Sequence, residues 1–444
     1  MPAPFPPLPQ AVYAARRDEV RRRMRELAGP STLVVHSTPV ATRNHDVEHP
    51  YRADADLYWL TGFTEPECAL VLSTEGNEPF TLFVRPRDKD KELWNGRRHG
   101  LEGARVISGA HQSFGVALID AELPKLIQQP TLFYRLGGTD PHFDARIART
   151  LTQLRMRGRT GITAPRRLED PGVLLHELRL LKDSHELSAL RRAIELTRAG
   201  HLTAMEVGRG GTHEHELEAA LLASYRSGGA VCGYSPIVAA GRNATILHYN
   251  ENDAPVRDGE LVLIDSGAEV ALYTADVTRT FPASGTFTPA QAKLYDLVLR
   301  AADLAIEHTA PGVTIDGLHD EIVHTLTEGM IELGLLEGTP EARIADSSYR
   351  RFYMHRSSHW LGLDVHDAGA YRNEANEPRA LVPGMVFTIE PGLYIAEDDV
   401  TAPPELRGTG VRIEDDILVT ESGHENLTAS IPRTRADVEQ ACAR

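Results

Sequence analysis

Apolar positions along this chain change their period part-way, and the change divides it. Up to about residue 172, short apolar runs alternate with stretches of helical spacing. Tyr13 to Leu27 is a basic run with helical periodicity, and Thr32-Leu33-Val34-Val35-His36 predicts a short buried strand. Leu57 to Thr61, Ala69 to Leu72 and Phe80 to Val84 predict three more strands. Val116 to Leu126 predicts a helix and Thr131 to Tyr134 another strand. Such alternation points to an α/β domain over residues 1–172, closed by a boundary near Pro171-Gly172.

Beyond that boundary the helices lengthen. Asp183 and Glu186 have capping-box spacing at the head of a helix predicted to reach about Met205. Thr212 is placed to cap a second helix, with Glu214 and Glu216 where the helix dipole favours acids. Thr288-Pro289 launches a third, to about His308, and a fourth runs from Thr314 to Leu333. With strands interleaved, residues 173–444 predict an α+β domain of antiparallel strands packed with long helices.

Four strands of this second domain carry an acid where an apolar residue is the ordinary expectation. Leu261-Val262-Leu263-Ile264 ends in Asp265, and Asp276 begins the run to Phe281. Val386 to Ile389 ends in Glu390, and Glu414 shares the polar face of Val411 to Val419 with Arg412. Asp265 and Asp276 are eleven apart, an odd separation that a two-residue hairpin loop at Val270-Ala271 would place directly opposite each other. Two opposed aspartates repel, so a cationic group is expected between them. A buried ionised carboxylate costs several kcal/mol unless it is paired or bound to metal.

A further cluster lies in His355-Arg356-Ser357-Ser358-His359-Trp360-Leu361-Gly362-Leu363-Asp364-Val365-His366-Asp367, which holds three histidines and two aspartates. As a helix it would bring the three imidazoles to one face; as an extended segment His355 and His359 would share a face and His366 would oppose them. Four carboxylates with an imidazole suit hard or borderline divalent ions such as Mn²⁺, Co²⁺ or Zn²⁺, and four negative charges balance two such ions. Cysteine ligands are absent from the set, which argues against a structural zinc.

The totals narrow the setting. A length of 444 residues favours two domains, and a formal charge of −16 argues against nucleic acid or an anionic membrane as a partner. Cys68, Cys232 and Cys442 are odd in number and scattered, which fits a reducing compartment. The start lacks a basic segment followed by an apolar one, and no apolar run reaches the ~20 residues of a membrane span. A cytoplasmic protein is expected.

The ordered contexts LIDSGAE, ADVTRTFP, SHWLGLDVHD, TIEPGLY and RIEDDILVT resemble those of the pita-bread metallopeptidases, and most of all the aminopeptidase P (Xaa-Pro aminopeptidase) branch. YRADADLYWLTGFTEPE, Tyr51 to Glu67, is similar to that branch's N-terminal domain. The resemblance implies a pseudo-twofold antiparallel sheet with two divalent metal ions, Mn²⁺ foremost, in its concave face. It implies Asp265, Asp276, His359, Glu390 and Glu414 as ligands, with Asp276 and Glu414 bridging, and hydrolysis of the N-terminal Xaa-Pro bond of peptides by metal-bound hydroxide. Glu390 would shuttle the proton, His248 and His366 would contact the substrate, and His355 and Arg412 would stand behind the ligands. Trp94, in WNGRR, resembles a loop that reaches a neighbouring subunit's site, so a homo-oligomer, dimer or tetramer, is expected. Two rival readings share the fold: a prolidase acting on Xaa-Pro dipeptides, and a non-catalytic protein-binding module. The latter has lost metal ligands that this chain retains.

Overall fold

The computed structural model describes residues 5–138 and 140–443. The chain divides into two compact units, residues 6–179 and residues 180–443 together with Phe5.

The first unit is built on a six-stranded sheet. In spatial order its strands are Gln112–Gly115, Phe80–Val84, Ala69–Ser73, Ser31–His36, Thr131–Phe133 and Arg167–Glu169. The central three pair antiparallel and the outer joins are parallel. The segment expected as a strand at Leu57 to Thr61 is instead the helix Ala55–Thr61, capped by Asp54, which accepts from the Leu57 amide at 2.8 Å. All seven of its residues are buried. A helix buried on every side shows no amphipathic period, so a short apolar run does not distinguish it from a strand.

The second unit repeats one order of elements twice. Helices Ser184–Val207 and Glu214–Ser227 precede the antiparallel strands Ile237–Ala240, Leu261–Asp265 and Thr278–Pro282. Helices Pro289–Glu307 and Ile315–Glu332 precede Val386–Ile389, Asp415–Thr420 and Gly423–Asn426. The capping boxes at Asp183 and Thr288 form. The second helix starts at Glu214 rather than just after Thr212, with Glu216 accepting from the His213 amide at 2.7 Å. Among the described residues no helix is long and apolar enough to cross a membrane.

The two halves are stitched together through a buried guanidinium. Arg279, fully buried, donates to the Glu414 carbonyl at 2.6 Å and to Asp415 at 2.7 Å. The Glu414 amide returns a hydrogen bond to the Thr278 carbonyl at 3.1 Å. Arg279 thus meets Asp415 while Thr278 meets Glu414, which stands in a break between the strands Thr409–Arg412 and Asp415–Thr420 where one strand was expected from Val411 to Val419. The acids of the sequence pattern therefore collect where the halves meet.

Candidate metal centre

The hairpin that carries the first two acids turns one residue later than expected. Asp265 pairs with Thr278, and Val270 with Tyr273, so the two-residue loop is Ala271-Leu272. Both loop residues have positive φ, 50° and 66°, as a primed hairpin turn requires. Asp276 then faces Gly267, where a Cβ would stand 1.7 Å from the Ala275 carbonyl oxygen. Asp265 and Asp276 share a face as diagonal neighbours, not as directly opposed residues. Their mutual repulsion is met by a hydroxyl and a cation. Tyr234 Oη donates to Asp265 Oδ1 at 2.7 Å and lies 2.5 Å from Asp276 Oδ1, while Arg412 Nη2 reaches Asp265 Oδ2 at 2.6 Å.

The histidine-rich stretch is neither helix nor strand. It is an irregular loop anchored by an isolated bridge between Trp360 and Phe387. The loop closes on itself through the Asp367 amide, which donates to the Trp360 carbonyl at 2.8 Å. Lys182 clamps it from outside: Nζ meets Asp367 Oδ2 at 2.9 Å, both side chains being 1% exposed. Gly362 admits that pair, since a Cβ there would lie 2.2 Å from Asp367 Oδ2.

This loop presents the three histidines differently. His359 Nδ1 bonds the Trp360 carbonyl at 3.1 Å, which leaves Nε2 directed at Asp276 Oδ2, Glu390 Oε1 and Glu414 Oε1, at 3.2, 3.7 and 3.9 Å. His366 packs edge-on against His359, ring centroids 4.4 Å apart, and is exposed in the cleft, as is His248. His355 lies further back: Nε2 contacts Tyr394 Oη at 2.8 Å, and that hydroxyl accepts from Arg412 Nη1 at 3.0 Å. Trp94 belongs to the N-terminal unit, on the short helix Lys89–Asn95, and is 85% exposed.

The charges explain what such a site is built to hold. Burial pushes the carboxyls of Asp265, Glu390 and Glu414 upward, Glu390 to about 7, and neighbouring acids add to it. Burial opposes a charge on His359, yet Asp276 and the surrounding acids outweigh it and raise the imidazole to about 9. His355 moves the other way, down to about 4, through burial and the positive Arg412. A ring of acids whose ionisation is limited mainly by burial and by one another fits a divalent cation, which would restore the charged forms. Asp276, His359 and Glu414 already offer ligand atoms within 4.8 Å of one another; Asp265 and Glu390 flank them. The whole group lines a cleft of about 960 Å³.

Three contributors lay outside the residues singled out from sequence: Tyr234, Thr278 and Tyr394. Thr278 donates to Glu414 Oε2 at 2.7 Å and accepts from Arg412 Nε at 3.0 Å. Its position two residues beyond Asp276, at the start of the strand Thr278–Pro282, was a usable signal. Tyr234 has no comparable one, because it arrives from a loop.

Comparison with known proteins agrees with this geometry. Residues 188–421 match the model of metallopeptidase family M24, and residues 13–134 match the aminopeptidase P N-terminal domain. The chain belongs to metallopeptidase family M24 and has its pita-bread fold. Within that family it is 41% identical to the Xaa-Pro aminopeptidase of Escherichia coli K12, over 95% of this chain and 97% of that protein. It superposes on Pseudomonas aeruginosa aminopeptidase PepP with a TM-score of 0.94 at 44% identity, covering 98% of both chains. Zinc-substituted E. coli aminopeptidase P in complex with product gives a TM-score of 0.93 at 39% identity, with 98% of this chain and 99% of that one covered.

Proposed function

We propose that this chain is an Xaa-Pro aminopeptidase, a metallo-exopeptidase that removes the first residue of peptides with proline in second place. The observation that carries the reading is the convergence of Asp276, His359 and Glu414, flanked by Asp265 and Glu390, at the floor of the cleft. These five would hold two divalent ions, and their four negative charges support that count. A set so rich in carboxylate favours Mn²⁺, with Zn²⁺ and Co²⁺ also compatible with one imidazole. When bound, such ions lower the pKa of water and polarise the scissile carbonyl.

The remaining work falls to the chain's own side chains. Tyr234 and Thr278 fix carboxylate oxygens, and the Trp360 carbonyl fixes the His359 tautomer, so the ligands are oriented in advance. Glu390, half-buried at the cleft floor, is placed to pass a proton to the departing proline nitrogen. His248 and His366 stand on the open side, where an imidazole N–H can donate to the carbonyl oxygen as it gains charge. Burial keeps His366 on the neutral side of its usual range. An Xaa-Pro bond has no N–H, so enzymes that hold substrate as an added strand lose a hydrogen bond there. A site acting through the carbonyl does not need that donor.

The exposure of Trp94, and of every other residue in its helix to some degree, supports a subunit contact through that loop and hence a homo-oligomer. The free state of Cys68, Cys232 and Cys442 supports a cytoplasmic location. Side-by-side assay of Gly-Pro and Ala-Pro-Ala with Mn²⁺ present tests the activity. Cleavage of the tripeptide is expected; hydrolysis of the dipeptide alone would make the protein a prolidase.

A further inference from the structure

One charged cluster in the cleft takes no part in holding metal. Asp316 lies in the first turn of the helix Ile315–Glu332, where an acid is stabilised by the helix dipole. Its Oδ1 is bound by Arg356 and its Oδ2 by Arg372 Nη2 at 3.0 Å. Two guanidiniums share one carboxylate, so the group is cationic. It is also open, with Arg356 59%, Arg372 49% and Asp316 32% exposed, and all three line the catalytic cleft. An ion pair made only to pin the loop would need one arginine. Arg372 also gives Nη1 to the Asn376 carbonyl at 3.0 Å, and the two half-exposed guanidiniums together still line the cleft of a protein whose formal charge is −16.

We propose that Arg356 and Arg372, held apart by Asp316, recognise a carboxylate on the substrate downstream of the proline. This deepens the aminopeptidase reading and rests on it. An exopeptidase that removes one residue has only that residue on the amino side of the scissile bond. The rest of the peptide leaves through the open part of the cleft, where this cluster stands. The carboxylate has two sources, the α-carboxylate of a short peptide or an acidic side chain at the third position. Either accepts planar, paired N–H donors, the geometry for which arginine is suited and lysine is not.

The test compares kcat/KM for Ala-Pro-Ala with its C-terminal amide, and for Ala-Pro-Glu amide with Ala-Pro-Gln amide, in the metal-loaded enzyme. The first pair reports the terminal carboxylate and the second the side chain. A preference of roughly fivefold for the charged member of at least one pair is expected, since a half-exposed ion pair is partly screened. It should reside in KM and collapse toward unity in Arg372→Ala and Arg356→Ala. Asp316→Asn, which raises the positive charge of the cluster, should widen it. A wild-type ratio of one in both pairs overturns the proposal. So does an equal loss on charged and amide substrates in the arginine variants, which would make the cluster a structural clamp. Failure to cleave any of the four peptides would instead contradict the aminopeptidase reading.

Discussion

Asp276 is held at three points. Tyr234 reaches one carboxylate oxygen, His359 faces the other, and its amide contacts Asp416 at 3.3 Å. Asp276→Asn keeps the shape but removes the charge on which both proposed ions would draw. Turnover is expected to fall by on the order of a thousandfold, several kcal/mol of lost stabilisation, together with divalent-ion binding. Near-normal kcat in that variant, or an unchanged metal content, would show the ligand set to be wrong. Tyr234→Phe is a milder case, because it removes the single hydroxyl that stands between Asp265 and Asp276 while the ligands remain. Metal affinity measured by equilibrium dialysis should weaken by about 10–100-fold, the usual cost of losing an outer hydrogen bond. The four acids stood out in the sequence because a charge that interrupts or ends an apolar strand is costly to bury without a counter-charge, whereas His359 was set apart from His355 and His366 only by the family resemblance. Of the hydroxyls that orient the acids, Thr278 had a signal in its place two residues beyond Asp276, and Tyr234 had none, since a lone tyrosine in a loop carries no such contradiction.

At the level of elements, the histidine loop shows why spacing alone did not settle its form. Helix and strand both offered a periodicity, and the structure uses neither. What fixes the loop is a long-range pair, Lys182 with Asp367, separated by 185 residues and invisible to any local pattern. Lys182→Met would leave Asp367 buried beside fewer partners. A loss of about 3–5 kcal/mol is expected in urea unfolding, the usual cost of breaking a buried pair from one side. A change below about 1 kcal/mol would mean the pair does not hold the loop. The hairpin bearing Asp265 and Asp276 was read one residue out of register for a related reason. Its turn is Ala271-Leu272, with no Asn or Gly to mark it, and the register is imposed by pairing along the strands. The helix behind that hairpin offers a pH test. His201, in Ser184–Val207, is fully buried against the Ser266 carbonyl at 3.1 Å, and burial lowers it from 6.5 to about 4. The unfolded chain binds the proton in that window and the folded one does not, so its contribution is complete above pH 6.5 and is lost as pH falls toward 4. Going from pH 7 to 5 should cost the wild type about 2 kcal/mol more stability than His201→Gln. Parallel pH dependence in the two proteins would contradict this.

Over the whole molecule, two domains were expected from the length of 444 residues, with a boundary near residue 172, and the structure divides the chain after residue 179; long helices with strong caps were the most legible parts. The twofold repetition of helix, helix and three strands was expected from the family resemblance but not from the local pattern, because each half fills it with different residues. It is this repetition that brings acids 149 residues apart, Asp265 and Glu414, to one floor. The chemistry proposed for the cleft depends on those acids binding catalytic divalent ions. The most direct measurement is release of the first residue from Ala-Pro-Ala by protein stripped with a chelator and then titrated with Mn²⁺, with bound metal counted at each step. The expected result is no turnover in the stripped protein and recovery that is complete at two ions per chain. Full activity in protein shown to contain no divalent metal would contradict it.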